Sequence, residues 1–477
     1  MKAKFSDYLN RIAPAMKQLV HELQGHYDYV SILSSDSVGF TVMASQFAKS
    51  VSNSTMFTER GNVVRVYRNG LYSEYAFNQF DETKIEELRD RILAALNSQL
   101  DLLEETGTAV YDTPKLSDEP LTVFEEMETG SLPEETDLGR LVEELVAISD
   151  EAVASGEGVL DCMVRGTSTH VSKMFLTENR DMRQSYVYTE GMVGPVAEKD
   201  GRNEMSYASV SGRRGPEILA GLRDKALDAV RVSKELLEAS PIEPGEYDII
   251  ASPEVSGLIA HEAFGHGVEM DMFVKNRALG KDYINRRVGS DLVTMHEGAL
   301  CAEEVASYAF DDEGTPAGDT VEIENGILRT GVCDALSALR LGAKPTGNGK
   351  RESFEHKAYT RMTNTIFDSG TSTLDEMIAS MKYGYLLEGM KSGMEDPKHW
   401  GIQCIVERGY EIRDGKLTGK VVAPIVMTGY VPDLLGSITM ASRDREVFGS
   451  GACGKGHKEW VKVSDGGPYL KAKARLG

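Results

Sequence analysis

The chain has 477 residues, of which 41% are hydrophobic, enough to bury the cores of two or three domains. Its formal net charge of −23 argues against nonspecific binding to nucleic acid or to an anionic membrane. No run of about 18 apolar residues predicts a membrane span, and the charged start of the chain lacks the apolar core of a secretory signal. The five cysteines show no CxxC spacing, which favours a reducing compartment, so we expect a cytoplasmic protein.

The N-terminal part of the chain predicts helices that flank antiparallel strands. Apolar residues at helical spacing predict a helix over residues 6–24, with Gly25 just after its end. Alternating segments on both sides of Asn69–Gly70 predict a β-hairpin, and a charged helix follows over about 82–104. The acidic stretch at about 105–136 contains three prolines, and we interpret it as a solvated connector.

The same order of elements then recurs. A helix over about 136–155, extended segments over 157–210 and a helix over about 215–239 repeat the order helix, strands, helix. This order is compatible with a duplicated α+β unit. No residue-level repeat accompanies it, so a single large α+β domain is an equal alternative.

A second domain is predicted to begin near residue 241. The segment SPIEPGEYDII, with two prolines and a glycine before a new strand, marks the boundary. Hairpin signals are frequent after about residue 295, and helical segments are few, chiefly 373–391. The predicted fold class is therefore α+β, with an N-terminal α+β domain over 1–240 and a C-terminal domain rich in antiparallel strands over 241–477.

The motif His-Glu-x-x-Gly-His occurs twice, at residues 21–26 and at residues 261–266, in a chain with nine histidines. The repetition raises the question of whether either copy binds a metal. The two histidines of each copy are five residues apart, which separates them by about 140° on a regular α-helix. Joint ligation therefore requires a π-type turn or a break of the helix at the glycine.

The surroundings distinguish the two copies. His21 borders the apolar stripe of the first helix, and His26 follows the glycine predicted to end it, as in an exposed helix end. The second copy ends an apolar helix that begins at Ser252–Pro253, a favourable N-cap and first-turn pair. Burying its polar groups is costly unless they are paired or bind a metal. We therefore assign the metal site to the second copy, with a hydrogen-bonded histidine pair at a domain interface as the alternative.

A metal held by His261 and His266 needs a third protein ligand, with a fourth position open to water. The residues alone leave this ligand open among Glu269, Asp271, a distant histidine and a cysteine, and the two acids could instead orient the histidines. Cys453 differs from the other thiols because it lies in the glycine-rich segment GSGACGKGH, which has little side-chain bulk to bury it. A solvent-facing thiol is the alternative.

Several motifs of the C-terminal half resemble the TldD/PmbA family of zinc metallopeptidases, long labelled modulators of DNA gyrase. HEAFGHGVEMD is similar to the HExxxH signature of that family, and further motifs follow in the family's order: FDDEGTPAG, IENGIL, LGAKPTGNGKRES, RMTNT and GACGKG. The resemblance is close from about residue 240 onward and mainly architectural before it. The stretch GMEDPKHWGIQC departs from the pattern, which puts the substrate preference in doubt rather than the chemistry.

The resemblance implies one zinc ion per active subunit, bound by His261, His266 and Cys453, with Glu262 beside them. It also implies a TldD-like member rather than a PmbA (TldE) relative, which lacks the metal motif. The expected activity is that of a peptidase acting on small or unfolded peptides. The expected assembly is a homodimer, or a heterodimer with a metal-less TldE/PmbA-like subunit.

The expected reaction is hydrolysis of a peptide bond. Zinc lowers the pKa of its bound water towards about 7, and Glu262 takes the water's proton and passes it to the leaving amine. Arg351 and Asn364, in the KRES and RMTNT segments, are predicted to shape the substrate cleft, with a structural turn as the alternative. His457 lies four residues after Cys453 and is a candidate second oxyanion donor, with a surface histidine as the alternative.

Three other classes of function compete with this one. A non-catalytic interaction or regulatory protein with a structural zinc is disfavoured, because structural zinc usually takes four protein ligands. A DNA-associated regulator is disfavoured by the net charge and by the lack of a basic stripe in the sequence. Nucleotide binding is disfavoured because Asn348 stands where the pattern GxxxxGK[ST] has lysine.

Overall fold

Two large β-sheets organise the chain, one in each half. The structure is a computed structural model that describes residues 1–107, 111–455 and 459–477. Helices and predominantly antiparallel strands are both abundant, so the predicted α+β fold class is confirmed. Among the helices described, none combines the length and the apolar composition that a membrane span requires.

The N-terminal sheet has the strand order β4-β3-β1-β6-β7-β5, with β2 paired to β1 and with β8 and β9 paired to β7. All pairs are antiparallel except β5 with β7. The strands are β1 Tyr29–Ala44, β2 Lys49–Ser52, β3 Arg60–Arg68, β4 Leu71–Phe77, β5 Leu121–Glu126, β6 Val159–Leu176, β7 Arg180–Lys199, β8 Arg202–Met205 and β9 Ala208–Gly212.

Four helices pack on this sheet in two pairs, each pair with its own apolar core. They are α1 Asp7–Gln24, α2 Ile85–Thr106, α3 Leu138–Ala154 and α4 Leu222–Glu238. Helices α1 and α2 cover one part of β1, β3 and β6, and helices α3 and α4 cover another part of β1 and β6, together with β7. The predicted order helix, strands, helix therefore occurs twice, and both sets of strands belong to one sheet.

Part of the segment that we interpreted as an acidic connector is a strand. Strand β5 lies at the edge of the sheet and runs parallel to β7. Its alternating residues Leu121 and Val123 pack against a cluster that contains Leu33 and Phe310. The connector interpretation was wrong for these six residues, because the many acids of the surrounding stretch hid a short apolar alternation.

The C-terminal sheet has the order β10-β17-β18-β20-β24-β16-β11-β12-β13. Strand β10 pairs with β17 on one side and with β24 on the other, so five strands close on themselves. The strands are β10 Gly245–Ala251, β11 Met295–Glu297, β12 Thr320–Glu324, β13 Ile327–Leu328, β14 Gly349–Lys350, β15 Tyr359–Thr360, β16 Asn364–Phe367, β17 Tyr383–Asp396, β18 Gly401–Arg413, β19 Lys416–Val422, β20 Ile425–Tyr430, β21 Met440–Phe448, β22 Ala452–Lys455, β23 Glu459–Lys462 and β24 Ser464–Leu476.

The helices of this half are short. They are α5 Pro253–Leu258, a π-helix Ile259–Gly265, α6 Met270–Val274, α7 Ala335–Leu341, α8 Leu374–Ala379 and α9 Val431–Gly436. The helix predicted over 373–391 ends at Ala379, because Tyr385, Leu386 and Leu387 are consecutive buried residues of a strand between β10 and β18. Among the described residues, the short 3₁₀ turns are Glu82–Lys84, Pro133–Glu135, Pro216–Gly221, His266–Val268 and Leu279–Tyr283.

Candidate metal centre

The second His-Glu-x-x-Gly-His copy lies on a distorted helix. Strand β10 ends at Ala251, and the hydroxyl of Ser252 then accepts a hydrogen bond from the Val255 amide, capping α5. From Ile259 the helix continues as a π-helix, in which backbone hydrogen bonds join residues five apart. Of the two distortions that the spacing required, the π-type turn is the one present, and it brings the His261 and His266 rings to a centroid distance of 5.2 Å.

The third member of the cluster comes from the far end of the chain. Ligand atoms of His261, His266 and Cys453 all lie within 4.8 Å of one another. The Cys453 Sγ is 3.4 Å from the Nε2 of His266. Cys453 stands on β22 opposite Val461 on β23, and it packs with Met362. The thiol is therefore buried against the histidines rather than facing solvent.

The two histidines stabilise the thiolate form of Cys453. Burial by itself raises the pKa of this thiol, but the nearby His266 and His261 rings hold the pKa well below its ordinary value. A thiolate is the form of cysteine that binds metals.

A carboxylate orients one of the histidines. The Nδ1 of His266 lies 3.0 Å from Glu269, whose pKa is lowered to about 2 because Lys455 and His266 outweigh the effect of burial. Lys455 lies 3.0 Å from Glu269 and 2.7 Å from Asp271, and Asp271 also pairs with Lys275. Of the two acids predicted to orient histidines, Glu269 contacts one, whereas Asp271 binds lysines.

Glu262 lies beside the cluster and keeps some access to solvent. Its Oε2 is 3.9 Å from the Nε2 of His266, and its side chain is 20% exposed. A carboxylate in this position can reach a water molecule next to the three donors, as a general base must.

The donor set suits zinc. Two imidazole nitrogens and one thiolate are ligands that zinc accepts, and three protein donors leave one position open, as in catalytic zinc sites. Within the described part of the chain, only this group of histidine, cysteine and acidic side chains is close enough to hold a metal ion. The Nδ1 of His261 is buried and has no hydrogen-bond partner in the same ranges, so this ring is not held by a carboxylate contact as His266 is.

The first copy of the motif has a different environment. Helix α1 ends at Gln24, as predicted, and both His21 and His26 are exposed. The Nδ1 of His21 lies 3.0 Å from the Glu178 carboxyl group at the surface. The prediction of an exposed helix end is therefore confirmed.

The residues predicted to contact substrate have other surroundings. Asn364 is fully buried, and its amide donates to the Gly298 carbonyl at 3.1 Å and to Ser307 Oγ at 3.0 Å. The buried amide satisfies its donors inside the protein, so its predicted substrate contact has no support from these surroundings and stays a prediction. His457 lies outside the described residues.

Arg351 joins the two halves of the chain. Its guanidinium donates to both carboxylate oxygens of Glu74 on β4 and to the His356 carbonyl. The residue also lines a cavity of about 80 Å³ with Lys173 and Glu59 from the N-terminal half. A guanidinium paired with Glu74 serves the contact between the halves, and the role of Arg351 in substrate binding stays a prediction.

Two acids near the centre were missed by the sequence analysis. Asp465 is buried close to His261 and Glu262, and burial raises the pKa of its carboxyl to about 7. Glu395, in the stretch that departs from the family pattern, accepts a hydrogen bond from the Gly267 amide at 2.9 Å. Both lie on strands far from the motif in sequence, and no local pattern distinguishes them from surface acids.

The chain is similar to known proteins both in sequence and in fold. Residues 244–474 match the PmbA/TldA metallopeptidase C-terminal domain. The chain is 34% identical over 281 residues to metalloprotease MJ0996 of Methanocaldococcus jannaschii, covering 59% of this chain and 61% of that protein. It is 32% identical over 260 residues to a zinc metalloprotease TldD homolog of Saccharolobus solfataricus, covering 54% of this chain and 55% of that protein.

The match to these relatives therefore spans less than two thirds of their length. The fold agrees over nearly the whole chain with the crystal structure of TldE from Thermococcus kodakarensis, with a TM-score of 0.78. That likeness covers 97% of this chain and 100% of the TldE chain at 17% sequence identity, so it shows the fold alone. The C-terminal half of the chain, residues 244–474, is therefore similar to the metallopeptidase domain of the PmbA/TldD family, and nearly the whole chain has the fold of TldE.

Proposed function

We propose that this chain is a zinc-dependent peptidase that hydrolyses peptide bonds in small or unfolded peptides. The observation that carries the proposal is the cluster of His261, His266 and Cys453, with ligand atoms within 4.8 Å and Glu262 beside them. The names of the two relatives, a metalloprotease and a zinc metalloprotease, support the same chemistry.

In this proposal the Nε2 of His266, a ring nitrogen of His261 and the Sγ of Cys453 hold the metal. The chemistry that zinc supplies in such a site is Lewis acidity toward a peptide carbonyl and toward water. The carboxylate of Glu269 accepts the Nδ1 proton of His266, which leaves Nε2 unprotonated and able to bind a metal. Lys455 balances the charge of Glu269 and keeps it in place.

Glu262 is the group that transfers a proton in the proposed hydrolysis. Its carboxylate takes the proton of the attacking water and then gives it to the nitrogen of the leaving amine. The side chain suits both steps because it is partly exposed and 3.9 Å from the Nε2 of His266. No residue within the described ranges is assigned as a second donor to the oxyanion.

The partners we propose are a peptide or unfolded segment as substrate and a second subunit of the same fold. The second subunit is either another copy of this chain or a metal-less TldE-like protein, and the likeness to TldE supports a partner of this fold. All five cysteines are free, which is consistent with work in a reducing cytoplasm.

Metal content and peptide turnover test the proposal together. We expect purified wild-type protein to bind about one zinc ion per chain and to cleave a quenched fluorescent peptide library. The Cys453→Ala variant should lose both properties, because two neutral imidazoles alone hold zinc weakly. The double variant His21→Ala/His26→Ala is the matched control and should keep both. Full metal content and turnover in Cys453→Ala would refute the proposed site.

A further inference from the structure

A buried arginine holds the strand pair that carries Cys453. Arg361, from the RMTNT segment, is 1% exposed. One of its terminal nitrogens, Nη2, donates to the Cys453 carbonyl at 2.7 Å, and the other, Nη1, donates to the Glu459 carbonyl at 2.7 Å. Both acceptors are backbone atoms, and they belong to the two strands β22 and β23.

The two hydrogen bonds of the Arg361 guanidinium act as a clamp that holds β22 and β23 in a fixed relative position. The planar guanidinium presents donors in a fixed fork, so two simultaneous hydrogen bonds fix the distance and the angle between the two carbonyls. Each of β22 and β23 has four residues, and they pair only with each other in the described part of the chain. A two-stranded pair of this length is marginal by itself, so its position depends on contacts such as these.

The backbone of Arg361 is itself fixed. Its amide donates to the Asn348 carbonyl at 2.9 Å, and the side-chain amide of Asn348 donates to the Arg361 carbonyl at 3.1 Å and to Glu297 at 3.0 Å. Lys350 adds a second contact from the same segment, because its ammonium donates to the carbonyls of Met362 and Lys462. The glycine-rich segment that contains Asn348 and Lys350 therefore fixes the backbone of Arg361 and contacts β23.

We propose that Arg361 is a positioning residue for the metal centre, which holds the Cys453 thiolate against His261 and His266 by binding the backbone of both strands. The inference rests on the proposed function, since it concerns the cysteine ligand of the same site. Arg361 touches neither the metal ligands' donor atoms nor the substrate in this scheme. Its effect reaches the centre through the Cys453 backbone.

Cobalt(II) substitution tests the proposal through the thiolate bond itself. Cobalt(II) bound to a thiolate gives a charge-transfer band in the near ultraviolet, which reports the contact of sulfur with metal independently of turnover. We expect Arg361→Gln to weaken this band strongly and to lower zinc affinity by about 10–100-fold, as for other residues that orient ligands. Arg361→Lys, which can reach only one of the two carbonyls, should give an intermediate result.

The matched control is Arg65→Lys, a buried arginine that pairs with Glu74 and Glu313 away from β22 and β23. It should leave the cobalt band and the zinc affinity unchanged. An unchanged band and affinity in both Arg361 variants would overturn the inference. A wild-type protein that binds metal without the thiolate band would instead overturn the proposed site, and the inference with it.

A second measurement distinguishes a local effect of the Arg361 substitutions from a general loss of folding. Alkylation of the metal-free protein, followed by mass mapping, reports the reactivity of each cysteine separately. Cys333 and Cys162, the latter in the core under α3 and α4, are fully buried and serve as internal reporters of the folded state. We expect Cys453 to react faster in Arg361→Gln while these two remain protected. Equal protection of Cys453 in variant and wild type, or equal exposure of all three thiols, would contradict a local positioning role.

Discussion

The three donors of the candidate centre are supported by different kinds of contact. His266 is held by the charged carboxylate of Glu269, which in turn pairs with Lys455. Cys453 is held through its backbone by Arg361. His261 depends on the packing of the π-helix, since its Nδ1 has no partner among the described residues. Substitutions around the centre should therefore have unequal effects on the binding of zinc.

Glu269→Gln should weaken zinc binding by about 10–100-fold. The substitution removes the negative charge that fixes the tautomer and the orientation of His266, while it preserves the size of the side chain. Competition with a chelator measures the affinity. The neighbouring Asp271→Asn is the matched control, because Asp271 contacts Lys455 and Lys275 rather than a histidine. A larger loss in Asp271→Asn than in Glu269→Gln would contradict this assignment.

Glu262→Gln should lower peptide turnover by about 10²- to 10⁴-fold and leave zinc content unchanged. Glutamine keeps the shape of the side chain but cannot accept and return the proton of water. Initial rates on a peptide substrate, with metal analysis of the same sample, measure the two properties. Turnover at the wild-type rate in a zinc-loaded variant would exclude Glu262 as the general base.

At the scale of elements, the sequence predicts that the helix carrying the motif is distorted, but not which type of distortion it has. The spacing of five between His261 and His266 predicts a distortion, and Ser252–Pro253 predicts where the helix begins. Which distortion occurs depends on packing: Gly265 lies against the sulfur of Met362, a contact from a distant segment. Local patterns therefore give the existence of the bend, and tertiary contacts give its type.

The remaining members of the site depend on long-range contacts. Cys453 and His266 are 187 residues apart; the glycine-rich context made this cysteine one candidate ligand among several, and the family resemblance implied it as the ligand. Asn364 and Arg351 were predicted to shape the substrate cleft together with the glycine-rich loop. Their partners, Ser307 and Glu74, lie 57 and 277 residues away, so no local pattern predicts the burial of these side chains.

Strand β17 contacts the helix of the motif at a glycine. A Cβ atom on Gly393 would lie 2.4 Å from Cγ of Glu262 and 2.9 Å from Cδ1 of Leu258, both closer than atoms can approach. Gly393→Ala should therefore displace the Glu262 carboxylate, and a shift of about 1 Å can lower kcat about 10²-fold. KM and zinc content should change little, because neither a metal ligand nor the substrate is altered. Steady-state kinetics separate the two constants.

Gly401→Ala on the adjacent strand β18 is the matched control for this experiment. A Cβ atom at Gly401 would meet no atom within 4 Å, so the same substitution should leave kcat near the wild-type value. If both alanine variants lowered kcat equally, the effect would come from the strands in general rather than from contact with Glu262.

At the scale of the whole molecule, buried ion pairs join the N-terminal sheet to the C-terminal half. Arg65 lies 2.6 Å from Glu74 and 2.5 Å from Glu313, and Arg351 lies 2.5 Å from Glu74. Lys173 pairs with Asp312 nearby. The FDDEG motif is therefore part of the contact between the halves.

This network predicts how stability depends on pH. Burial alone would raise the pKa of Glu74, but Arg65 and Arg351 hold it below its ordinary value of 4.5, so the folded state binds this proton less tightly than the unfolded state. Its stabilising contribution is complete above that value and is lost as the pH falls toward the folded-state pKa. Glu74→Gln should lower the free energy of unfolding at neutral pH by about 3 kcal/mol. The free energy of unfolding of this variant should also fall less than that of the wild type when the pH is lowered. Urea unfolding at neutral and acidic pH measures both effects. Glu82→Gln is the control: Glu82 forms an exposed pair with Arg11, so this substitution should lower the free energy of unfolding by at most about 1 kcal/mol.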